Sequence, residues 1–360
     1  MKKFSRLAAM FAALMLVVWG IGCSSDSGDD NNSGNGNSGN TPTTPTTPTT
    51  PTTPTGYSAG DVLLKDGTII SYVNISSMTN EQKSNAIGIL YALDEKGGPR
   101  GWLGVHNTGS DKYAWSKSSK SFADIVCTPN DIGWMWASNA TFTGDTDGSD
   151  NWSYICSQDP EGSADAATNY PAFNWVNNYA TTYELSGTYA EGWYMPTIAE
   201  ICHVHSYLLV INEVLDVLGQ TKLCGNEDGF YYWSSSPASG TGSAYYTDMH
   251  SDYIYTYPKS VPFRVCCIRK FTEGTVTQET QPTYSVTVNT IGEEYAEYAA
   301  YATKTSGIAF RETVIFDFKA KAGHSLDSIS VKCGNTEIPV VDNKFFTMPA
   351  GDVTLVVTLK

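Results

Sequence analysis

The sequence is short of charge, and the charge that it carries is mostly of one sign. Charged residues make up 16% of the 360 residues, with 22 lysines and arginines against 37 aspartates and glutamates, for a formal net charge of -15. This balance argues against binding to a nucleic-acid backbone or electrostatic attraction to an anionic membrane surface. We therefore expect no nucleic-acid partner, and we interpret the negative charge as an aid to solubility.

A hydrophobic run long enough to span a membrane is also missing, and the short apolar run near the N-terminus is better interpreted as part of an export signal. Three basic residues open the chain, Leu7–Trp19 is apolar, and small residues then precede Cys23. The run is too short for a comfortable bilayer span and reads as an export signal. The end of this segment resembles the lipobox of bacterial lipoproteins, which implies that residues 1–22 are removed and Cys23 is acylated. An ordinary signal peptide with a chance cysteine is the alternative.

Residues 23–55 have almost no apolar side chains that a core would need. Ser24–Asn40 contains only Ser, Asp, Gly and Asn, and Thr41–Thr55 repeats Thr-Pro-Thr. The first stretch cannot offset its ordering entropy, and proline at every third position favours an extended rod of ~3.1 Å per residue. We predict a tether that holds a domain away from a lipid anchor in the outer membrane or at the cell surface. Dense threonine beside proline also resembles O-glycosylated stalks.

Residues 56–271 carry clear strand and helix signals towards their two ends. Asp66-Gly67 predicts a hairpin turn, and the apolar run Ala86–Leu93 predicts a buried strand. Asp111–Tyr189 has little periodicity, and we expect long loops on a small scaffold there. After Thr197 an apolar stripe predicts a helix, broken near Tyr207.

Three motifs in the second half of this segment resemble a known family. They are Gly-Trp-x-Met-Pro-Thr-x-x-Glu at 192–200, Tyr-Trp-Ser-Ser at 232–235, and Phe-Arg-Val-x-Cys-Ile-Arg at 263–269. Together they resemble the DUF1566 group of bacterial surface proteins, which is also represented by the Fibrobacter major paralogous domain. Within this group, the sequence most resembles spirochaete lipoproteins. The resemblance implies a C-type-lectin-like fold, related to the formylglycine-generating enzymes, with a twisted antiparallel sheet, one or two helices and long loops.

After a polar linker at 272–282, residues 283–360 show the period of two that is typical of strands. The stretch Phe346–Val353 resembles the closing signature of small β repeat domains of bacterial surface proteins. We expect an immunoglobulin-like sandwich of about five to seven strands. The predicted fold class is therefore α+β, a C-type-lectin-like domain followed by a small all-β sandwich.

The stretch Ala244–Tyr257 has the composition of a recognition surface. Tyrosine offers a large contact area and little entropy to lose, and alternate tyrosines of a strand share one face. The candidate ligand-binding residues are Tyr245, Tyr246, His250, Asp252, Tyr253, Tyr255, Tyr257, Trp134, Trp136 and Trp152. The alternative is an edge hairpin whose tyrosines cover the core.

Metal-binding patterns are sparse. His203 and His205 are two apart on a predicted helix, so they project to different sides, and we expect structural roles. Asp145, Asp147 and Asp150 lie in one Gly-containing loop and are an alternative calcium site, although their spacing is not that of an EF-hand. We expect no cofactor.

The cysteines give no catalytic signature. In the formylglycine-generating relatives two reactive cysteines are separated by several residues, whereas Cys266 and Cys267 are adjacent and would point to opposite faces of a strand. Export permits disulfides, but the sequence cannot choose among the pairings of the six cysteines in residues 56–271. Cys333 is expected to be buried. We therefore predict no enzymatic activity.

These patterns favour a lipid-anchored surface protein that binds an unknown protein or glycan. The alternatives are a retroelement-diversified display protein, a structural spacer of the envelope, and an oxidase of the formylglycine-generating type. Alanine substitution of Tyr253, Tyr255 and Tyr257 separates a binder from a spacer, because only a binder has a partner to lose.

Overall fold

The computed structural model describes residues 56–360, except for 94–98, 119, 131–136, 138–139, 226–228, 241 and 274–281. The predicted signal, the anchor Cys23 and the tether lie outside the described residues, and so do Trp134 and Trp136. The described residues belong to one compact unit. They form a mixed α+β structure of mostly antiparallel sheets with a few short helices.

The helices of the described part are short, and most of them lie between residues 151 and 217. They are α1 (Asn80–Ser84), α2 (Asn151–Gln158), α3 (Pro160–Ala164), α4 (Ala166–Asn169), α5 (Pro171–Asn177), α6 (Tyr179–Thr182), α7 (Ile198–His205) and α8 (Leu208–Val217). No single helix among the described residues is long and apolar enough to span a membrane. The pair α7 and α8 reaches the length and apolar composition of a membrane span only when the two are taken together, and they are bent by 71° at their junction.

The strands up to residue 271 form one central sheet and several small ones. They are β1 (Val62–Leu64), β2 (Ile69–Ile70), β3 (Ala86–Leu93), β4 (Pro99–Gly104), β5 (Tyr113–Ala114), β6 (Cys127–Pro129), β7 (Phe142–Gly144), β8 (Trp193–Tyr194), β9 (Tyr231–Pro237), β10 (Ser243–Asp248), β11 (Tyr253–Pro258), β12 (Pro262–Phe263) and β13 (Ile268–Lys270). The central sheet has the order β2-β1-β3-β4-β13-β8, and β11-β10-β9 form a separate sheet.

Strand β3 explains how the central sheet is stabilised. Its residues alternate between two hydrophobic clusters, so that Ile89 packs into one and Leu90 into the other. Helices α7 and α8 contribute to the cluster of Ile89, while α5 and a large group of aromatic rings contribute to the cluster of Leu90. Because both faces are covered, the strand is an uninterrupted apolar run, as the sequence predicts.

Helix α7 begins with the predicted capping box. The Thr197 side chain accepts from the Glu200 backbone N–H, and the Glu200 carboxylate accepts from the Thr197 N–H at 2.9 Å. The same carboxylate accepts from the hydroxyl of Tyr194 and from the N–H of Gly148. The glutamate of the Gly-Trp-x-Met-Pro-Thr-x-x-Glu motif thus links strand β8, the loop at Gly148 and the start of helix α7.

The expectation of long loops over Asp111–Tyr189 is wrong in its second half. Five short helices, α2 to α6, occupy most of residues 151–182. Proline is the first residue of α3 and of α5, and the side chain of Asp159 caps α3. Each helix is too short to show a helical period, so the sequence signals here are caps rather than periodicity.

The single strand expected over Phe263–Arg269 is interrupted in the structure. Strand β12 ends at Phe263 and β13 begins at Ile268. Cys266 and Cys267 lie between them and belong to the two different hydrophobic clusters. The prediction that they point to opposite sides is therefore confirmed, without a regular strand.

The C-terminal residues form two sheets around a third hydrophobic cluster. The strands are β14 (Thr283–Tyr284), β15 (Val286–Ile291), β16 (Ala296–Ala302), β17 (Ile308–Ala309), β18 (Thr313–Ala320), β19 (Leu326–Cys333), β20 (Thr336–Glu337), β21 (Phe345–Thr347) and β22 (Val353–Leu359). The sheet β15-β22-β19-β20 includes the parallel pair β15–β22, and β16-β18-β21 form the other sheet. Cys333 is half-buried rather than buried, which corrects the prediction for it.

The C-terminal sheets are joined to the helices of the preceding part by hydrogen bonds. The N–H of Thr313 donates to the carbonyl of Ser206 at 2.7 Å, and the Thr313 hydroxyl accepts from the N–H of Leu209 at 3.2 Å. Ser206 lies at the break between α7 and α8, and α8 has no side-chain cap from its own N-cap residue, Tyr207. Thr313, a distant residue of the same chain, therefore supplies the side-chain acceptor for the first turn of α8.

Candidate functional site

The three-stranded sheet β11-β10-β9 brings tyrosines from separate strands onto one face. Tyr246 of β10 is the register partner of Tyr255 on β11 and of Trp233 on β9. Because side chains alternate along a strand, Tyr253 and Tyr257 share the face of Tyr255. We call Tyr246, Tyr253, Tyr255 and Tyr257 the tyrosine face.

Tyr246 forms the floor of the tyrosine face. Its ring stacks on Tyr255 with a centroid distance of 5.6 Å and lies 4.7 Å from Phe263, and its side chain is only 8% exposed. Tyr257 packs against Phe263 at 5.5 Å. The outer rings are thus held on a layer of buried rings, which fixes their orientation and lowers the entropy that binding would remove.

The outer tyrosines remain accessible to solvent. Tyr255 is 42% exposed and Tyr257 is 45% exposed, while Tyr253 is half-buried. The alternative that these tyrosines merely cover the core therefore applies to Tyr246 but not to Tyr255 and Tyr257. Burial raises the pKa of Tyr253 and of Tyr255, so both phenols are neutral hydrogen-bonding groups near pH 7.

Tyr245 and Trp152 do not belong to this surface, which corrects the prediction for both. Tyr245 lies on the opposite face of β10 and packs against the hydrophobic cluster of α7. Trp152 is on α2, where its ring stacks on Phe173 at 5.4 Å and meets Tyr170 edge-on at 5.6 Å. Both rings are used for packing.

His250 is also placed away from the tyrosine face, which corrects its prediction. It lies in the turn between β10 and β11, where its ring meets Phe345 of β21 at 6.4 Å. Its carbonyl accepts from the ammonium of Lys344 at 3.3 Å. His250 therefore contributes to the contact with the C-terminal sheets.

Asp252 is wholly buried, so its predicted role in direct ligand binding is wrong. Its carboxylate lies 3.1 Å from Nδ1 of His205, which is equally inaccessible, and Nε2 of His205 lies 3.3 Å from the carbonyl of Met249. Asp252 has a φ of 61°, a left-handed conformation that Asp and Asn adopt more readily than most residues. The His205–Asp252 pair anchors the hairpin of β10 and β11 to helix α7.

The three aspartates of the alternative calcium site lie in one loop, where the N–H of Asp147 donates to the carboxylate of Asp145 at 3.1 Å, but their carboxylates have different partners. Asp145 and Asp150 line a surface cavity of about 390 Å³, whereas Asp147 forms an ion pair with Lys270 at 2.5 Å. Asp147 also accepts from the N–H of Ser149 in a local turn. Within the described residues, no three His, Cys, Asp or Glu side chains are placed to hold one metal ion.

The cysteines of the described part all carry free thiols in the structure. Burial raises the pKa of Cys127 to about 11 and that of Cys266 to about 12, so these thiols stay protonated and weakly nucleophilic. Five of them are buried like small core residues, while Cys156 and Cys333 are half-buried.

Sequence reasoning missed two exposed tyrosines on β16, Tyr298 and Tyr301. Each is 38% exposed, and their ring centroids are 6.0 Å apart. They are three residues apart, so a regular strand would place them on opposite faces. The pairing of β16 with β18 is irregular between them, and this irregularity brings both rings to one side.

Comparisons with known proteins leave the family open. No protein-family model matches the chain, and no curated protein matches it. A fimbrial protein from Bacteroides ovatus ATCC 8483 is similar in structure with a TM-score of 0.40 and 12% sequence identity, over 60% of this chain and 49% of that protein. The chain thus spans about half the length of that solved structure.

Proposed function

We propose that this chain is a lipid-anchored bacterial surface protein that binds a ligand through the tyrosine face and catalyses no reaction. The observation that carries the proposal is the pair of exposed rings, Tyr255 and Tyr257, supported by the buried rings of Tyr246 and Phe263. Exposed aromatic rings on a rigid support are typical of recognition surfaces.

The lipid anchor, the tether and the fold family are proposed from sequence motifs. Attachment at Cys23 follows from the lipobox-like segment, and the tether of residues 23–55 would hold the binding surface outside the membrane. A C-type-lectin-like fold of the DUF1566 type is part of the same proposal, supported by the three motifs between residues 192 and 271. A lipid-anchored binder needs no cofactor and no reactive centre.

The binding claim is tested with an array of glycans and matrix proteins, probed with the recombinant mature protein. We expect a ligand whose binding is lost in the triple variant Tyr253→Ala, Tyr255→Ala, Tyr257→Ala, while its melting temperature stays close to that of the wild type. The exposed residue Ile291, on β15, provides a matched control, because Ile291→Ala removes a similarly exposed apolar side chain elsewhere. Equal binding by wild type and triple variant would reject the tyrosine face.

The anchor is tested separately by metabolic labelling with a palmitate analogue. We expect label in the wild type and none in Cys23→Ala. An unlabelled wild-type protein would remove the anchor from the proposal without affecting the binding surface.

A further inference from the structure

The exposed tyrosines of the C-terminal sheets continue the tyrosine face. Among the described residues, seven large hydrophobic side chains are exposed, and four of them are Tyr255, Tyr257, Tyr298 and Tyr301. The ring of Tyr253 is 5.7 Å from that of Tyr255, and the turn before Tyr253 contacts the sheet that contains β16, because the ring of His250 meets Phe345 of β21 at 6.4 Å. We call Tyr257, Tyr255, Tyr253, Tyr301 and Tyr298 the tyrosine strip.

Asp317 of β18 lies beside the two tyrosines that β16 contributes to the strip. It accepts a hydrogen bond from the hydroxyl of Tyr298 at 2.9 Å and is the register partner of Tyr301. Burial raises the pKa of Tyr253 and of Tyr301, and the Asp317 carboxylate raises both further. The Asp317 carboxylate therefore binds one phenol of β16 and lies opposite the other in the strand register.

The two parts of the strip are held together by buried contacts. The guanidinium of Arg311 donates to the carbonyl of Ala59 at 3.1 Å and lies 4.1 Å from the ring of Tyr72. Thr313 binds the break between α7 and α8 as described above. Since these bonds span two otherwise separate hydrophobic clusters, the strip behaves as one preorganised surface.

The charged groups beside the strip are three carboxylates and one ammonium that is already paired with a carboxylate. Asp248 is the register partner of Tyr253, Asp317 accepts from the hydroxyl of Tyr298, and Glu297 precedes Tyr298 on β16. The ammonium of Lys319, the register partner of Tyr298, is bound to Glu297 at 2.9 Å. Ring faces and carboxylates together favour a partner that carries positive charge, because cations are attracted to both.

We propose that the tyrosine strip is a single platform, built from both halves of the protein, for an extended segment of a partner polypeptide that is rich in arginine and lysine. This inference rests on the proposed binding function and gives it a ligand class. The partner's guanidinium and ammonium groups lie over the tyrosine rings, and one of them pairs with Asp317. A series of exposed rings on two sheets, without an enclosing cavity lined by them, suits an extended segment better than a compact small molecule.

The test uses fluorescence anisotropy of a labelled peptide in which Arg and Lys alternate with Gly and Ser. The mature protein is compared with Tyr255→Ala/Tyr257→Ala, with Tyr298→Ala/Tyr301→Ala and with Asp317→Asn. We expect each double variant to bind about tenfold more weakly. For Asp317→Asn we expect weaker binding with a smaller dependence on salt concentration. Ile291→Ala, on the same C-terminal half, should bind like the wild type.

The outcomes separate this inference from the proposed function. If only the Tyr255/Tyr257 variant weakens binding, the composite platform is wrong while the tyrosine face stands. If a peptide with Glu in place of Arg and Lys, or a neutral glucan, binds as tightly as the basic peptide, the ligand class is wrong. If both double variants bind every array ligand like the wild type, both proposals fail. Tyr298→Phe/Tyr301→Phe, which keeps the rings, guards against misfolding and should retain most of the binding.

Discussion

Two regions of the molecule are rich in aromatic residues and use them in opposite ways. In the first region, the rings of three residues pack on one another: Trp115 meets Phe173 edge-on at 4.9 Å, and Trp152 stacks on Phe173. On β11 the rings of Tyr255 and Tyr257 rest on a buried layer and face solvent. Aromatic composition alone therefore does not reveal a binding surface, and the strand register decides which rings are available.

The largest effect should come from the buried region. Trp115 is inaccessible, donates its indole N–H to the carbonyl of Ser234 at 2.8 Å and contacts Phe173. Trp115→Ala should lower the free energy of unfolding by about 4 kcal/mol, measured by urea denaturation, because it leaves a large cavity and an unpaired carbonyl. Trp115→Phe keeps part of the ring packing and should lose clearly less. A loss below about 1 kcal/mol for the alanine variant would show that this region is not a packed core.

The His205–Asp252 pair tests how the exposed hairpin is attached to the buried region. Asp252→Asn keeps a residue that tolerates the φ of 61° but removes the charge facing His205. We expect a loss of about 2–3 kcal/mol in the free energy of unfolding, because the buried imidazole loses the carboxylate that faces it at 3.1 Å. Asp252→Ala should lose about 1 kcal/mol more through backbone strain. Equal stability of Asp252→Asn and wild type would show that the pair does not anchor the hairpin.

Lys259 gives a third, smaller and opposite effect. Among the described residues its ammonium has no hydrogen-bond partner, and it lies 4.5 Å from the ring of Trp115 and 5.2 Å from that of Phe122. Burial lowers the pKa of Lys259 to about 8, while the two ring faces favour the charged form. Since burial is the larger influence, Lys259→Met should raise the free energy of unfolding by about 1–2 kcal/mol at pH 7.

The pH dependence provides the check on Lys259. The folded pKa lies below the unfolded value, so the folded state binds the proton less tightly and the penalty is fully present below about pH 8. It fades as the pH rises towards the unfolded pKa. The difference in stability between Lys259→Met and wild type should therefore shrink between pH 7 and pH 10. A variant that is less stable than wild type at pH 7 would show that the contacts with the two rings outweigh burial.

Much of the fold could be predicted where local chemistry decides the structure. The capping box of Thr197 and Glu200, the break near Tyr207 and the buried strand Ala86–Leu93 all appear as expected. The short helices of residues 151–182 were missed because none is long enough to show a period. Strand β16 gives little signal of its own, because its Ala-Glu-Tyr-Ala-Ala-Tyr-Ala sequence lacks the β-branched residues that favour strands.

The candidate site could be predicted only in part, because it depends on contacts between distant residues. The alternation of Tyr253, Tyr255 and Tyr257 was readable from the sequence. The burial of Asp252 depends on His205, 47 positions earlier, and the place of His250 depends on Phe345. Tyr298 and Tyr301 share a face only because the pairing of β16 is irregular. Such pairings follow from tertiary packing and leave no local signal.

The smallest effect on stability should come from the exposed rings, and it sharpens the contrast with the floor beneath them. Tyr255→Ala and Tyr257→Ala should each change the free energy of unfolding by no more than about 0.5 kcal/mol, because their rings already face water. Tyr246→Ala should lower it by about 2–3 kcal/mol, since that ring is buried against Phe263. Urea denaturation of the three variants measures this difference. If Tyr255→Ala and Tyr257→Ala lowered the free energy of unfolding as much as Tyr246→Ala, both rings would belong to the core. Both aromatic regions would then serve packing, and β11 would present no recognition surface.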